Sequence, residues 1–184
     1  MKTDENKVAE YLAAKGLYAI VFPKEERRNR KTPDFRVFRG NALAFFCEVK
    51  SISSSTSEGY RIDPVFNRLT DDIHTAVKQF DAVNPRVETP NVLAFVNHDR
   101  YCGILDLIGV LTGKFIAEND QTHPIYLKYS EGRIKEEKAR IHLFLWLDDF
   151  KPDRFLFSQT HAGFHKSLCG WFEIDQNAIK LIHP

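Results

Sequence analysis

Val8 and Leu12, four residues apart, mark the apolar stripe of a first helix. Thr3 or Asp4 can cap its start, and Gly16 suits its C-terminal end. Leu17 to Phe22 is a short apolar run that reads as a strand and ends at Pro23. Ala42 to Lys50 is apolar for six residues and then charged, which predicts a strand buried along most of its length and working at its far end. Phe66, Leu69, Ile73, Val77 and Phe80, at spacings of three and four, predict a helix from about Pro64 to Val83. Asn91 to Asn97, bounded by Pro90 and the polar His98-Asp99, predicts a buried strand. Further on come an apolar segment at Ile104 to Leu111 and strands at Ile125 to Tyr129, Ile141 to Leu147, near Phe155 to Phe157, and around Trp171 to Ile174.

Two polar stretches interrupt this pattern. Lys24 to Lys31 carries five basic and two acidic residues and reads as a charged loop. Ser51 to Gly59 has too few apolar residues to pack, so it is expected to be mobile, as a linker or as a loop that closes over a substrate.

The chemistry lies in Asp34, which follows Pro33, and in Glu48 with Lys50. Side chains alternate along a strand, so Glu48 and Lys50 share one face while Cys47 and Val49 point to the other, with Phe45 and Leu43. That second face reads as core, which sends the Cys47 sulfur away from Glu48 and makes it a poor nucleophile. Directly opposed residues of an antiparallel pair face the same way, so Asp34 and Glu48 converge only if paired residue numbers have an even sum. Turn chemistry favours a two-residue Gly40-Asn41 hairpin, which pairs Arg39 with Ala42 and gives an odd sum. A convergent site therefore requires an odd-length turn, such as three residues centred on Asn41, or a bulge in one strand.

Pro33-Asp34, a spacer, and Glu48-Val49-Lys50-Ser51 resemble the PD-(D/E)xK nuclease superfamily, which includes restriction endonucleases and archaeal Holliday-junction resolvases. The resemblance covers roughly the first 98 residues. It implies an α/β fold with a restriction endonuclease-like αβββαβ core, a central mixed sheet flanked by helices. Residues 99–184 would add C-terminal strands and a helix that extend or cover the sheet. It also implies hydrolysis of a phosphodiester with Mg²⁺ or Mn²⁺, the metal held by Asp34, Glu48, the Val49 carbonyl and Glu5. Lys50 would orient or deprotonate the attacking water. DNA is the expected substrate, with 5′-phosphate and 3′-hydroxyl products. Many members work as dimers, so a homodimer belongs to the same expectation.

Two acidic residues compete for the helix position. At 100° per residue Glu5 falls about 60° from Val8 and Glu10 about 160° away, so Glu5 is the candidate and Glu10 is expected in solvent. Glu5 also suits the first turn of a helix without any further role. Gln79, near the end of the second long helix, is a supporting candidate by resemblance, with an ordinary exposed glutamine as its alternative. Lys24, Arg27, Arg28, Arg30 and Lys31 would lie beside the site and contact backbone phosphates, or would simply be solvated.

With 184 residues, 43% hydrophobic and 12% aromatic, the chain can bury the core of one domain. A net charge of +1 excludes a strongly basic nucleic-acid coat, so binding would depend on local charge and on metal. No apolar run reaches bilayer length and the polar N-terminus lacks the apolar stretch of a secretory signal, so a cytoplasmic protein is expected. Three scattered cysteines make no disulfide framework. His161, His165 and Cys169 recur every four residues, but the rise of about 12 Å across two helical turns is too long for the outer two to share one zinc ion. No glycine-rich phosphate loop is present. Two other classes stay open: a binding module that keeps the nuclease fold without catalysis, and an interaction protein in which the motif is coincidence.

Overall fold

The computed structural model describes residues 3–53, 62–116, 121–125, 134, 136–158 and 162–175. Helix α1, Thr3–Ala14, carries Asp4 and Glu5 in its first turn, where negative charge suits the helix dipole, and fully buries Val8 and Leu12. Gly16, at φ 70°, takes the left-handed conformation that ends the helix and feeds Leu17 into strand β1, Tyr18–Val21. The expected charged loop after Pro23 is instead a short helix, α2, Lys24–Asn29. Its order explains why: Glu25 and Glu26 occupy the first turn and Arg27 and Arg28 the last, both favourable to the dipole, and Glu26 pairs with Arg30 at 2.7 Å.

Strands β2 (Phe35–Arg39) and β3 (Ala42–Ile52) follow, then helix α3 (Ile62–Val83) and strand β4 (Asn91–Asn97). The apolar segment after residue 103 is helix α4, Ile104–Thr112, ended by left-handed Gly113. A small hairpin, β5 (Lys114–Ile116) with β6 (Thr122–Pro124), comes next. A turn of 3₁₀ helix at Glu137–Arg140 leads to β7 (Leu143–Asp148), β8 (Arg154–Phe157) and helix α5 (Ala162–Phe172).

One six-stranded mixed sheet, ordered β1-β2-β3-β4-β7-β8, organises the molecule. β1, β2 and β3 are antiparallel, β3, β4 and β7 run parallel, and β8 returns antiparallel at the edge. Helices cover both faces. α3 and α4 bury Phe66, Leu69, Ile73, Phe80, Leu107 and Val110 against Phe46, Phe95 and Trp146 on one side. α1 and α5 bury Val8, Leu12, Leu168 and Phe172 against Val37, Phe45, Val92 and Leu145 on the other. β4 is buried at every position, as expected of a parallel strand covered on both faces.

Three further expectations differ from what the structure describes. No strand runs from Trp171 to Ile174: Trp171 and Phe172 end α5, whose buried Leu168, Cys169 and Phe172 follow a helical period. Of the strand expected from Ile125 to Tyr129, only Ile125 is described and it lies just past β6; residues 126–130 fall outside the described residues. The polar stretch after Lys50 begins as strand, since β3 continues to a buried Ile52, and residues 54–61 fall outside the described residues. Among the described residues no helix is long and apolar enough to cross a membrane.

Candidate active site

The β2–β3 hairpin meets both of its conflicting requirements. Its turn is the two-residue Gly40-Asn41 link, with Gly40 at φ 57° and Arg39 paired to Ala42 and Phe38 to Leu43, both odd-sum pairs. Between Phe38 and Val37 the register shifts, and Val37↔Phe45, Arg36↔Phe46 and Phe35↔Cys47 are even-sum pairs. Ala44 is the extra residue of this bulge, and with Phe45 it packs into the α1–α5 core. Leu43 is thereby displaced from the Phe45 face to which simple alternation assigned it, and it is 39% exposed.

One step beyond Phe35↔Cys47, Asp34 meets Glu48. The Asp34 N–H donates to Glu48 Oε2 at 3.1 Å, and the Val49 N–H donates to Asp34 Oδ2 at 2.8 Å. Lys50 Nζ donates to Glu48 Oε1 at 2.8 Å. Glu48 and Lys50 point to the α3 side with Phe46 and Ile52, whereas Cys47 and Val49 turn toward the α1–α5 core. A cavity of about 440 Å³ opens here, lined by Asp4, Glu5, Asp34, Glu48, Val49, Lys50, Ser51 and Gln79.

Every catalytic candidate from the sequence thus borders one cavity. Glu5 lines it, while Glu10 is exposed, as the helical period requires. Gln79 is not an ordinary exposed glutamine: its Nε2 donates to the Thr32 carbonyl at 2.9 Å, and its Oε1 is buried without a hydrogen-bond partner. The basic candidates of α2 and its flank stand outside the cavity lining. Lys24, Arg27, Arg28 and Lys31 are exposed. Arg30 pairs with Glu26 and reaches the Ala82 carbonyl at 3.2 Å, so part of its role is to fasten α2 to α3.

Burial raises both site carboxylates, Glu48 the more. Burial, then the neighbouring Asp34 charge, push the Glu48 carboxyl up to about 7, with Lys50 pulling the other way. Asp34 is also raised, first by burial and further by the charge of Glu5, against the Val49 amide that stabilises its ionised form. Such a dry pair of like charges is what a cation would relieve. The donors available for one are all oxygen, from Asp34, Glu48 and the Val49 carbonyl with Glu5 at the rim, and such a set suits Mg²⁺ or Mn²⁺. Among the described residues no three His, Cys, Asp or Glu side chains converge on one point.

The remaining candidates lose ground. Cys47 is buried on the core face, and burial pushes its thiol well above the ordinary range, which removes it as a nucleophile. His165 Nε2 lies 2.7 Å from the Ser158 carbonyl and Cys169 is buried in α5, while His161 lies outside the described residues.

The sequence gives little sign of the groups that tie two lining residues, Asp4 and Ser51, to the rest of the fold. Ser51 Oγ donates to Asp4 Oδ2, and Asp4 Oδ1 lies 3.0 Å from His98 Nε2. His98 Nδ1 meets Asp149, which also takes Lys7 Nζ at 2.6 Å. Arg68 of α3 donates to the Ser51 carbonyl at 2.8 Å and the Ser53 carbonyl at 2.7 Å. The only local signal was the polar His98-Asp99 pair at the end of a buried strand. Comparison with protein-family models, curated proteins and solved structures finds no match. Fold and site define an α/β protein whose six-stranded mixed sheet, flanked by helices, carries two facing carboxylates and a lysine in one cavity.

Proposed function

We propose that the protein is a divalent-cation-dependent nuclease of the PD-(D/E)xK type, with a restriction endonuclease-like core, acting on DNA. The observation that carries this reading is the bulge at Ala44, which turns Asp34 and Glu48 onto one cavity together with Lys50. The order α1-β1-β2-β3-α3-β4 supports it, with α2 as an insertion. So does a Glu48 carboxyl near 7, poised to exchange its proton for a cation at neutral pH.

Asp34 and Glu48 would hold Mg²⁺ or Mn²⁺, with the Val49 carbonyl and Glu5 directly or through water. The ion would supply Lewis-acid polarisation of the scissile phosphate and a more acidic water. Lys50 orients the attacking water and offsets charge developing on the phosphate. Gln79 holds the Thr32 carbonyl and so fixes the approach of Pro33-Asp34. Lys24, Arg27, Arg28 and Lys31 meet backbone phosphates of the substrate and position it without reading sequence.

Incubation of the protein with plasmid, single-stranded DNA and RNA, with Mg²⁺ or Mn²⁺ and with chelator, tests the reading. We expect DNA cleavage that requires the metal and falls by at least about a hundredfold in K50A, the usual scale for losing a positioned acid–base group. Binding without cleavage would instead mark an inactive module of the same fold, and neither would remove nucleic acid from the account.

A further inference from the structure

Helix α3 presents a polar stripe to the site. Arg68, Asp72 and Gln79 fall within about 40° of one another around the helix axis. The two ends of this stripe are anchored: Arg68 holds the Ser51 and Ser53 carbonyls, and Gln79 holds the Thr32 carbonyl just ahead of Asp34. Asp72 lies between these anchors, alongside the stretch of β3 from which Glu48 and Lys50 point toward α3.

Asp72 is a costly residue in its present setting. Its Oδ2 is buried without a hydrogen-bond partner, one of a very few such atoms among the described residues. Burial raises its carboxyl above the ordinary value, and the charges that offset this most are Lys50 first and Arg68 second. Lys50 itself spends one of three donors on Glu48 Oε1. An ion held by Glu48 would repel that ammonium.

We propose that Asp72 is a positioning residue for Lys50: it receives the ammonium when a divalent cation takes Glu48, and so keeps the lysine placed beside the site. This rests on the cation site proposed above. It assigns the orphaned Asp72 oxygen a partner in the loaded state and lets one lysine serve both states of the site without leaving a buried charge alone.

Mn²⁺ binding to the full chain, followed by electron paramagnetic resonance of the free ion, tests this on wild type, D72N, D72E, K50A and the K50A/D72N double variant. In D72N the ammonium loses its second carboxylate and stays with Glu48, so Mn²⁺ affinity should drop roughly tenfold, the scale of losing an outer partner of a metal site. D72E keeps the charge and should stay close to wild type. Once Lys50 is absent the same D72N change should have no effect, because no ammonium needs a second partner. An equal loss from D72N with and without Lys50, or no loss at all, would overturn the proposal while leaving the cation site standing. Failure of the wild type to bind Mn²⁺ would overturn the cation site and this role with it.

Discussion

Glu48 is the side chain at which chemistry and stability pull in opposite directions. Its carboxyl is raised to about 7, first by burial and then by Asp34, so the folded chain keeps a proton that the unfolded chain has already released. Over the interval from the ordinary carboxylate value up to about 7 the native state binds more protons than the unfolded one, and stability therefore falls as pH rises. The full cost is present above that interval and absent below it. E48Q should remove it: we expect a gain of about 1–2 kcal/mol in urea unfolding at pH 8 and none at pH 5, less than the whole shift because the ion pair with Lys50 is also lost. An identical effect at both pH values would show that Glu48 titrates in the ordinary range. The same variant should lose Mn²⁺ binding, and in the wild type that binding should weaken by about tenfold per unit as pH falls below 7. Glu48 and Lys50 were legible as cofacial because alternation along a strand needs only neighbouring residues, whereas Asp34 joined them only on the condition of a bulge. Asp72 was not, because on an amphipathic helix a polar residue beside the apolar stripe looks the same whether its carboxyl meets water or is buried.

Strands β3 and β4 and helices α1 and α3 were legible for the same local reason: their apolar periods are long and their ends carry Gly16 or Pro90. Shorter or mixed segments were not. α2 is stabilised by the order of its charges with no buried residue, which an apolar pattern cannot reveal, and α5 hides its period among aromatic residues. The β2–β3 hairpin was legible as a constraint: turn chemistry and convergent carboxylates were incompatible unless one strand bulged, and the bulge lies at Ala44. Its position makes a specific expectation. Because Ala44 is the extra residue between Phe38↔Leu43 and Val37↔Phe45, its deletion joins two existing registers into one regular ladder and leaves Asp34 opposite Glu48. A chain lacking Ala44 should therefore fold, with only the modest loss of one buried methyl group, and keep Mn²⁺ affinity within about threefold of wild type. Hydrogen exchange of the Val49 amide, which donates to Asp34, offers a second readout. Loss of both would mean that the bulge itself, and not the register it sets, shapes the site.

At the scale of the whole molecule the site depends on a set of charges that no local pattern connects. Lys7 and Asp149 are 142 residues apart, and Asp4 and His98 are 94 apart. Together they fasten the first turns of α1 to the carboxyl ends of β3, β4 and β7, and so hold Asp4 and Glu5 at the cavity rim. His98 is the hinge of this set. Hydrogen bonding to Asp149, and next to Asp4, raises its imidazole above the ordinary value against a smaller opposing effect of burial. Its contribution is therefore complete below the unfolded imidazole value and disappears as pH rises through the higher native one. The aspartates behave oppositely. Asp149 is lowered by Lys7 and then by His98; burial would raise Asp4, but its bonds from Ser51 and His98 outweigh that. Their contributions are complete above the ordinary carboxylate range and disappear as pH falls through the lower native values. All parts act together only between about pH 4 and 6.5. The groups are partly exposed, so the effect is that of a surface network: we expect H98N to lower the thermal midpoint by about 2–4 °C at pH 5.5, equivalent to about 1 kcal/mol in a chain of this size. At pH 9 the wild-type ring is neutral as well, and the difference should shrink to nearly nothing. Circular dichroism melts of the two proteins at both pH values decide it. An equal loss at both would mean that His98 contributes through packing alone, and that α1 is held to the sheet by Val8 and Leu12 without help from charge.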